Sequence, residues 1–88
     1  MISVLICEDQ TLVRQGLASM LGTEPGIIIA GEATDGETAI EKVAELQPDI
    51  VLMDVRMPVK DGVKATEEVC NRFPNTRVII LSTYDSEE

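Results

Sequence analysis

The sequence predicts an α/β domain built on a parallel sheet with helices on both faces. Short apolar runs rich in Ile, Val and Leu alternate with segments of helical periodicity, a pattern typical of repeated βα units. The apolar runs lack the polar alternation of a strand with one wet face, which indicates strands buried on both sides. A chain of 88 residues suffices for one domain, so residues 1–88 are expected to form a single unit.

Four apolar runs are the predicted strands: Ile2–Cys7, Ile27–Ala30, Ile50–Met53 and Val78–Leu81. The fourth run has the composition of a strand covered on both faces, yet only seven residues follow it. An apolar strand left at the edge of a sheet pairs readily with another chain. We therefore expect either self-association through the edge of strand four or only marginal stability.

Three predicted helices separate the strands, at about residues 11–21, 36–46 and 63–73. Glycine or proline follows each of them, at Gly22, Pro48 and Pro74, and marks where it ends. The apolar residues of each helix recur at helical spacing and define a face toward the sheet. These faces are Leu12, Val13, Leu17, Met20 and Leu21 in the first helix, Ala39, Ile40 and Val43 in the second, and Val63, Thr66, Val69 and Cys70 in the third.

Composition excludes several classes of function. Sixteen acidic residues against seven basic ones give a net charge of −9, which argues against nucleic-acid binding by this segment itself. No apolar run approaches the length of a membrane span, and no signal-type segment opens the chain, so we expect a cytoplasmic protein without membrane contact. Cys7 and Cys70 are too few for a disulfide framework and are expected to be buried free thiols.

Three carboxylates mark the predicted functional site. Glu8 and Asp9 follow the first strand, and Asp54 follows the third. If these strands are neighbours in a parallel sheet, the three groups converge at its carboxyl edge, where open α/β sheets bind their ligands. Carboxylates this close repel one another unless a hard cation such as Mg²⁺ joins them. The pattern predicts a metal-dependent site around one reactive aspartate, although Asp9 also suits the N-cap of the first helix.

Taken together, these residues resemble a response-regulator receiver domain. The resemblance rests on Glu8-Asp9, on Asp54, on the Met57-Pro58 and Asp61-Gly62 turn, and on Ser82 after strand four. Residues 80–85 and the Pro48-Asp49 pair are similar to the subfamily that carries a LuxR/NarL-type helix-turn-helix output domain. The resemblance implies a flavodoxin-like (CheY-like) doubly wound sheet of order 2-1-3-4.

The resemblance assigns roles to individual residues. Asp54 would accept a phosphoryl group from a sensor histidine kinase, or from a small donor such as acetyl phosphate, and the domain would assist its own phosphorylation and dephosphorylation without being an enzyme. Glu8, Asp9, Asp54 and the backbone carbonyl of Arg56 would bind Mg²⁺. Ser82, rather than its neighbour Thr83, would donate its hydroxyl to a phosphoryl oxygen. Gly62 would supply backbone freedom to the loop after Asp54.

The family pattern also implies elements that have no counterpart among these residues. A receiver continues with a helix, a strand and a helix after strand four, so the resemblance implies a C-terminally incomplete domain. The expected lysine partner of the phosphoryl group is missing, because Lys60 and Lys64 stand at other positions, and Tyr84 does not occupy the place of the switch aromatic. DNA would be reached only through an output domain outside this sequence.

Two other functions compete with the phosphoacceptor. The first is a structural or dimerisation unit whose acidic site no longer functions. The second is a phosphatase of the haloacid-dehalogenase type, which needs an acid two residues after its nucleophile. Arg56 stands there, and this argues strongly against that chemistry.

Overall fold

The described part of the chain alternates strictly between strands and helices. The computed structural model describes residues 1–57 and 59–81. The strands are β1 (Ile2–Cys7), β2 (Ile27–Ala33), β3 (Ile50–Asp54) and β4 (Arg77–Leu81), and the helices are α1 (Thr11–Gly22), α2 (Gly36–Leu46) and α3 (Gly62–Arg72). This alternation confirms the predicted α/β class.

All four strands pair in parallel in one sheet, in the predicted order β2-β1-β3-β4. Its register decides which side chains meet at the carboxyl edge. Cys7 of β1 pairs with Met53 of β3, so the residues that follow them, Glu8 and Asp54, become neighbours. On the other side of β3, Asp54 pairs with Leu81, the last residue of β4.

The main hydrophobic core lies between the sheet and the pair of helices α2 and α3. Alternate residues of the central strands point into it, among them Leu5, Val51 and Met53, each without exposed surface. From α2, the predicted inward residues Ala39, Ile40 and Val43 complete this layer. The other strand residues, such as Val4 and Ile6, are buried toward the opposite face, which α1 covers.

The inward face of α3 differs from the prediction. Ala65 and Val69 are buried there, whereas Val63 is 53% exposed and Thr66 is half-buried. Cys70 is also exposed, so the prediction of two buried thiols was right for Cys7 and wrong for Cys70. The small side chain of Ala65 lets α3 lie close to the sheet, and this rotates the larger apolar residues outward.

Helix α1 is the least buried of the three. None of its residues is fully buried, and Leu12 and Met20, which the pattern assigned to the inward face, are 83% and 64% exposed. Val13, Leu17 and Leu21 are half-buried against the sheet. Helical spacing found the apolar stripe correctly, but within the described residues only its centre has a surface to pack against.

The two outer strands show how sheet edges modify the sequence pattern. β2 extends three residues beyond the predicted Ala30, because a bulge between the Val4 and Leu5 pairs inserts one residue and carries pairing on to Ala33. β4 is the outer strand on the opposite side, where Ile79 and Ile80 are 48% and 44% exposed. The described sheet thus ends in a bare apolar edge, as the sequence predicted. Among the helices of the described residues, none combines the length and apolar character of a transmembrane span.

Candidate functional site

The three carboxylates singled out in the sequence meet at the carboxyl edge of the sheet. One carboxylate oxygen from each of Glu8, Asp9 and Asp54 lies within 4.8 Å of the others. Glu8 and Asp9 stand at the end of β1, where the Glu8 N–H donates to the Ala33 carbonyl of β2 at 3.0 Å. Asp54 is the last residue of β3. The predicted convergence is confirmed, and its cause is the parallel register of β1 with β3.

Glu8 is the unusual member of this cluster, because it is a carboxylate with no exposed surface. Its Oε2 accepts a hydrogen bond from the Gln10 N–H at 3.0 Å, while its buried Oε1 has no hydrogen-bond partner within the described residues. Burial raises the pKa of Glu8 above its ordinary range, and the nearby negative charges of Asp54 and Asp9 add to that rise. Glu8 therefore contributes to the cluster a buried carboxylate with one oxygen that no donor among the described residues satisfies.

Asp54 is almost as deeply placed, with 1% of its surface exposed. The Arg56 N–H donates to Asp54 Oδ1 at 3.2 Å, so the loop that follows the strand turns back over the carboxylate. This bond brings Arg56 beside the cluster with its side chain exposed. The predicted role of the Arg56 carbonyl as a metal ligand stays a prediction.

The loop after Asp54 is shaped by the start of α3. Asp61 is the N-cap of this helix, and its Oδ1 accepts from the Lys64 N–H at 2.9 Å. Gly62 donates its N–H to the Val55 carbonyl at 3.1 Å. A Cβ on Gly62 would collide with the Asp54 carbonyl oxygen and come within 2.6 Å of the Val55 Cα. Glycine is needed here for close approach of two backbone segments, and the expected role in backbone freedom was wrong.

The alternative reading of Asp9 as the N-cap of the first helix is also wrong. The N-cap residue of α1 is Gln10, and no side-chain bond caps that helix. Asp9 is exposed and lies with its carboxylate near those of Glu8 and Asp54. Its position therefore serves the acidic cluster and does not serve helix capping.

Other residues named from the sequence have different outcomes. Lys60 binds Glu68 of α3 at 2.9 Å and Glu37 of α2 at 3.6 Å, which agrees with the expectation that it does not replace the family's missing lysine. Ser82, together with Thr83, Tyr84 and Pro58, lies outside the described residues. The predicted contact between the Ser82 hydroxyl and a phosphoryl group stays a prediction.

Sequence reasoning missed Arg14. Its guanidinium Nη1 donates to the Glu8 carbonyl at 3.0 Å, and its Nε bonds to Glu32 Oε1 of β2, also at 3.0 Å. The available signal was an arginine near the start of the first helix, five residues after Asp9, in a chain with seven basic residues. Only the fold reveals that its side chain turns back beneath the site.

The donor set suits a small hard cation. Three carboxylates supply oxygen ligands, which Mg²⁺ prefers, and Glu8 Oε1 offers an acceptor that no donor in the described part of the chain occupies. Neither histidine nor a cysteine thiol belongs to the cluster, so its chemistry does not suit a soft metal. The residues present therefore fit the ion that the sequence implied.

The chain is similar in sequence to known proteins. A family model described as "Response regulator receiver domain" matches residues 4–88. The transcriptional regulatory protein LnrK of Bacillus subtilis is 44% identical over 84 residues, which are 96% of this chain and 38% of LnrK. The chain therefore spans well under half of that relative's length.

Solved structures show the same likeness in three dimensions. The response regulator domain of Thermotoga maritima CheB superposes with a TM-score of 0.91 at 34% identity, covering 99% of this chain and 64% of that one. A chain from the CheX–CheY complex with BeF3 and Mg²⁺ of Borrelia burgdorferi gives a TM-score of 0.89 at 32% identity, covering 98% of this chain and 65% of that one. With the acidic cluster at the carboxyl edge of a sheet of order 2-1-3-4, these matches show that the chain belongs to the response regulator receiver domain family.

Proposed function

We propose that Asp54 is the phosphoacceptor of this receiver domain and that its phosphoryl donor is a phosphohistidine on a sensor histidine kinase. The observation that carries the proposal is the Asp54 carboxylate itself, 1% exposed and grouped with Glu8 and Asp9 at the carboxyl edge of the sheet. An aspartate carboxylate is an established kind of nucleophile toward phosphorus. Neighbouring groups must hold it in place and offset the charge that gathers around it.

The reaction exchanges one bond to phosphorus for another. A carboxylate oxygen of Asp54 forms a P–O bond as the P–N bond to the donor histidine breaks. The imidazole nitrogen leaves with the electron pair of that bond and takes up a proton, and Asp54 becomes an acyl phosphate. The Arg56 N–H on Asp54 Oδ1 holds the carboxylate in one orientation before the donor arrives. We expect the Ser82 hydroxyl to donate to an oxygen of the transferred group.

The proposal includes Mg²⁺ as the cofactor. Glu8, Asp9 and Asp54, completed by the Arg56 carbonyl, are the residues that would hold the ion. When bound, it offsets the negative charge of the carboxylates and of the phosphoryl oxygens. The buried Glu8 Oε1 supports this assignment, because it has no partner in the part of the chain that the structure describes and such an atom is costly unless a ligand engages it. The BeF3 and Mg²⁺ in the Borrelia burgdorferi CheX–CheY complex support it by likeness, since BeF3 has the shape of a phosphoryl group.

The output is proposed from the relatives. LnrK is named a transcriptional regulatory protein, and this chain matches 38% of its length. We propose that the phosphorylation state of Asp54 controls a DNA-binding region outside these 88 residues. The net charge of −9 supports this division, because an acidic segment repels the DNA backbone.

A structural or dimerisation unit is the second candidate, and the edge of β4 is the observation that favours it. Ile79 and Ile80 are nearly half exposed on a strand whose outer side is unpaired within the described sheet. A second copy of the chain could cover this edge. Self-association that is independent of both Mg²⁺ and phosphorylation, seen by sedimentation, would favour this candidate if no acyl phosphate forms.

Intact mass after treatment with acetyl phosphate tests the proposed function. We expect the chain to gain one phosphoryl group in Mg²⁺ and none in EDTA, and we expect hydroxylamine to remove it as it removes acyl phosphates. Asp54→Asn should abolish the gain. Asp61→Asn is the matched control, because it makes the same chemical change at an N-cap that asparagine serves equally well.

Two results would contradict the proposal. One is an Asp54→Asn variant that still gains the group. The other is a parent chain that circular dichroism shows to be folded and that gains none.

A further inference from the structure

Arg14 joins three parts of the chain beneath the acidic cluster. It lies in the first turns of α1, and only 16% of its side-chain surface is exposed. Its Nη1 donates to the backbone carbonyl of Glu8 at 3.0 Å, and its Nε donates to Glu32 Oε1 at 3.0 Å. One guanidinium thus connects α1, the end of β1 and the neighbouring strand β2.

Both backbone polar groups of Glu8 are hydrogen-bonded. Its N–H donates to the Ala33 carbonyl at 3.0 Å, and its own carbonyl accepts from Arg14. Its side chain accepts from the Gln10 N–H at 3.0 Å. Because Arg14 bonds the peptide that joins Glu8 to Asp9, it restricts the rotation that would carry both carboxylates away from Asp54.

The choice of acceptor matters in a site this acidic. A guanidinium usually pairs with a carboxylate in a bidentate fork. Arg14 instead bonds the Glu8 carbonyl and the Glu32 carboxylate, and the Glu8 Oε1 keeps no partner among the described residues. The arginine therefore orients the acidic segment without occupying the oxygen that a cation would take. Glu32 fixes the guanidinium in the rotamer that allows this.

We propose that Arg14 is the positioning residue of the cation site, which presets the Glu8–Asp9 peptide so that both carboxylates face Asp54 before a cation binds. The inference rests on the proposed function, because it assumes that the cluster binds Mg²⁺. Lysine cannot replace arginine here, since one ammonium on a flexible stem does not reproduce two N–H groups at fixed angles.

The test is a Mg²⁺ titration of the 88-residue chain followed by amide chemical shifts, which reports affinity without any phosphoryl transfer. We expect Arg14→Lys to weaken Mg²⁺ binding by roughly tenfold, the usual loss when a group that orients metal ligands is removed. Arg72→Lys is the matched control, because Arg72 also pairs with a glutamate, at 2.7 Å, but at the far end of α3. The control should bind Mg²⁺ as the parent does.

Glu32→Ala is the second variant and changes a side chain that is 42% exposed, so the fold should tolerate it. We expect weaker Mg²⁺ binding in the same direction. If Arg14→Lys does not fold, Glu32→Ala decides, and parental affinity in this variant would overturn the inference. A purely structural role would lower the melting temperature of the metal-free chain and leave the affinity of the folded protein unchanged.

The outcomes separate the two proposals. A parent chain that binds Mg²⁺ while Arg14→Lys binds it equally well overturns the inference alone. A folded parent chain that does not bind Mg²⁺ overturns the metal site in the proposed function and the inference with it.

Discussion

Replacing Gly62 with alanine gives the sharpest test of how the loop after Asp54 is built. Gly62 begins α3 directly against the end of β3, and an added Cβ would collide with the Asp54 carbonyl oxygen and approach the Val55 Cα to 2.6 Å. Carbon atoms in contact normally stay about 3.5–4.0 Å apart. The atoms in the way are backbone, so they cannot rotate aside, and the loop must move by roughly 1 Å.

The expected cost follows from this displacement. Overpacking of a tight site costs about 3 kcal/mol, and the better helix propensity of alanine returns at most about 1 kcal/mol, so the free energy of unfolding should fall by about 2 kcal/mol. With a urea m-value of about 1 kcal/mol/M for a domain of this size, the unfolding midpoint should fall by about 2 M. Loss of helical circular dichroism in urea measures it, with an osmolyte present to keep every variant folded at the start.

Gly16→Ala is the matched control. Gly16 lies within α1, and nothing stands within 4 Å of the position its Cβ would take. The same substitution should therefore stabilise the chain there, by about 0.5–1 kcal/mol. If Gly62→Ala unfolds at or above the parent's midpoint while Gly16→Ala behaves as expected, the close approach of α3 to Asp54 is not what requires glycine.

Individual side chains allow three further tests. Because burial raises the pKa of Glu8 above its ordinary 4.5, the folded state holds this proton more strongly than the unfolded chain does, and the metal-free chain should lose stability as pH rises above that value. Glu8→Gln should remove this loss, so that its free energy of unfolding at neutral pH exceeds that of the parent by about 1 kcal/mol. If urea melts show the same pH dependence for the variant as for the parent, the prediction is contradicted. Val59 has a φ of 67°, which is unfavourable for a β-branched residue. Val59→Gly should therefore raise the free energy of unfolding by about 1 kcal/mol and the melting temperature by roughly 4–8 °C. A lower melting temperature would show that Val59 is not strained. Burial raises the pKa of the Cys7 thiol to about 12, whereas Cys70 is exposed, so a thiol reagent should label only Cys70 in the native chain and both thiols in urea, as peptide mapping would detect.

Local pattern was sufficient for the elements and for the identity of the acidic cluster. The predicted range of α2 matches Gly36–Leu46, because the apolar spacing and the residues that flank the helix indicate the same segment. Glu8, Asp9 and Asp54 could be found because each follows an apolar strand, and the ends of parallel strands meet at one edge. These features depend on short-range periodicity, which a sequence states directly.

Pattern failed where burial depends on a neighbouring element. Val63 and Cys70 have helical spacing with Thr66 but are exposed, because close packing through Ala65 sets the rotation of α3. Leu12 and Met20 belong to the apolar stripe of α1 and are also exposed. Periodicity predicts that a helix has an apolar face, but the surface available to that face is decided by packing.

The sequence by itself determined the α/β class and the three carboxylates that gather at the sheet edge, since both follow from the order of apolar runs and polar ends along the chain. Only the tertiary structure decided that Glu8 is buried with an oxygen unpartnered among residues 1–57 and 59–81, that Arg14 turns back to hold its carbonyl, and that Gly62 is required by contact. Each of these joins atoms from different elements. Their distances are set by how strands and helices pack, which no local pattern of residues encodes.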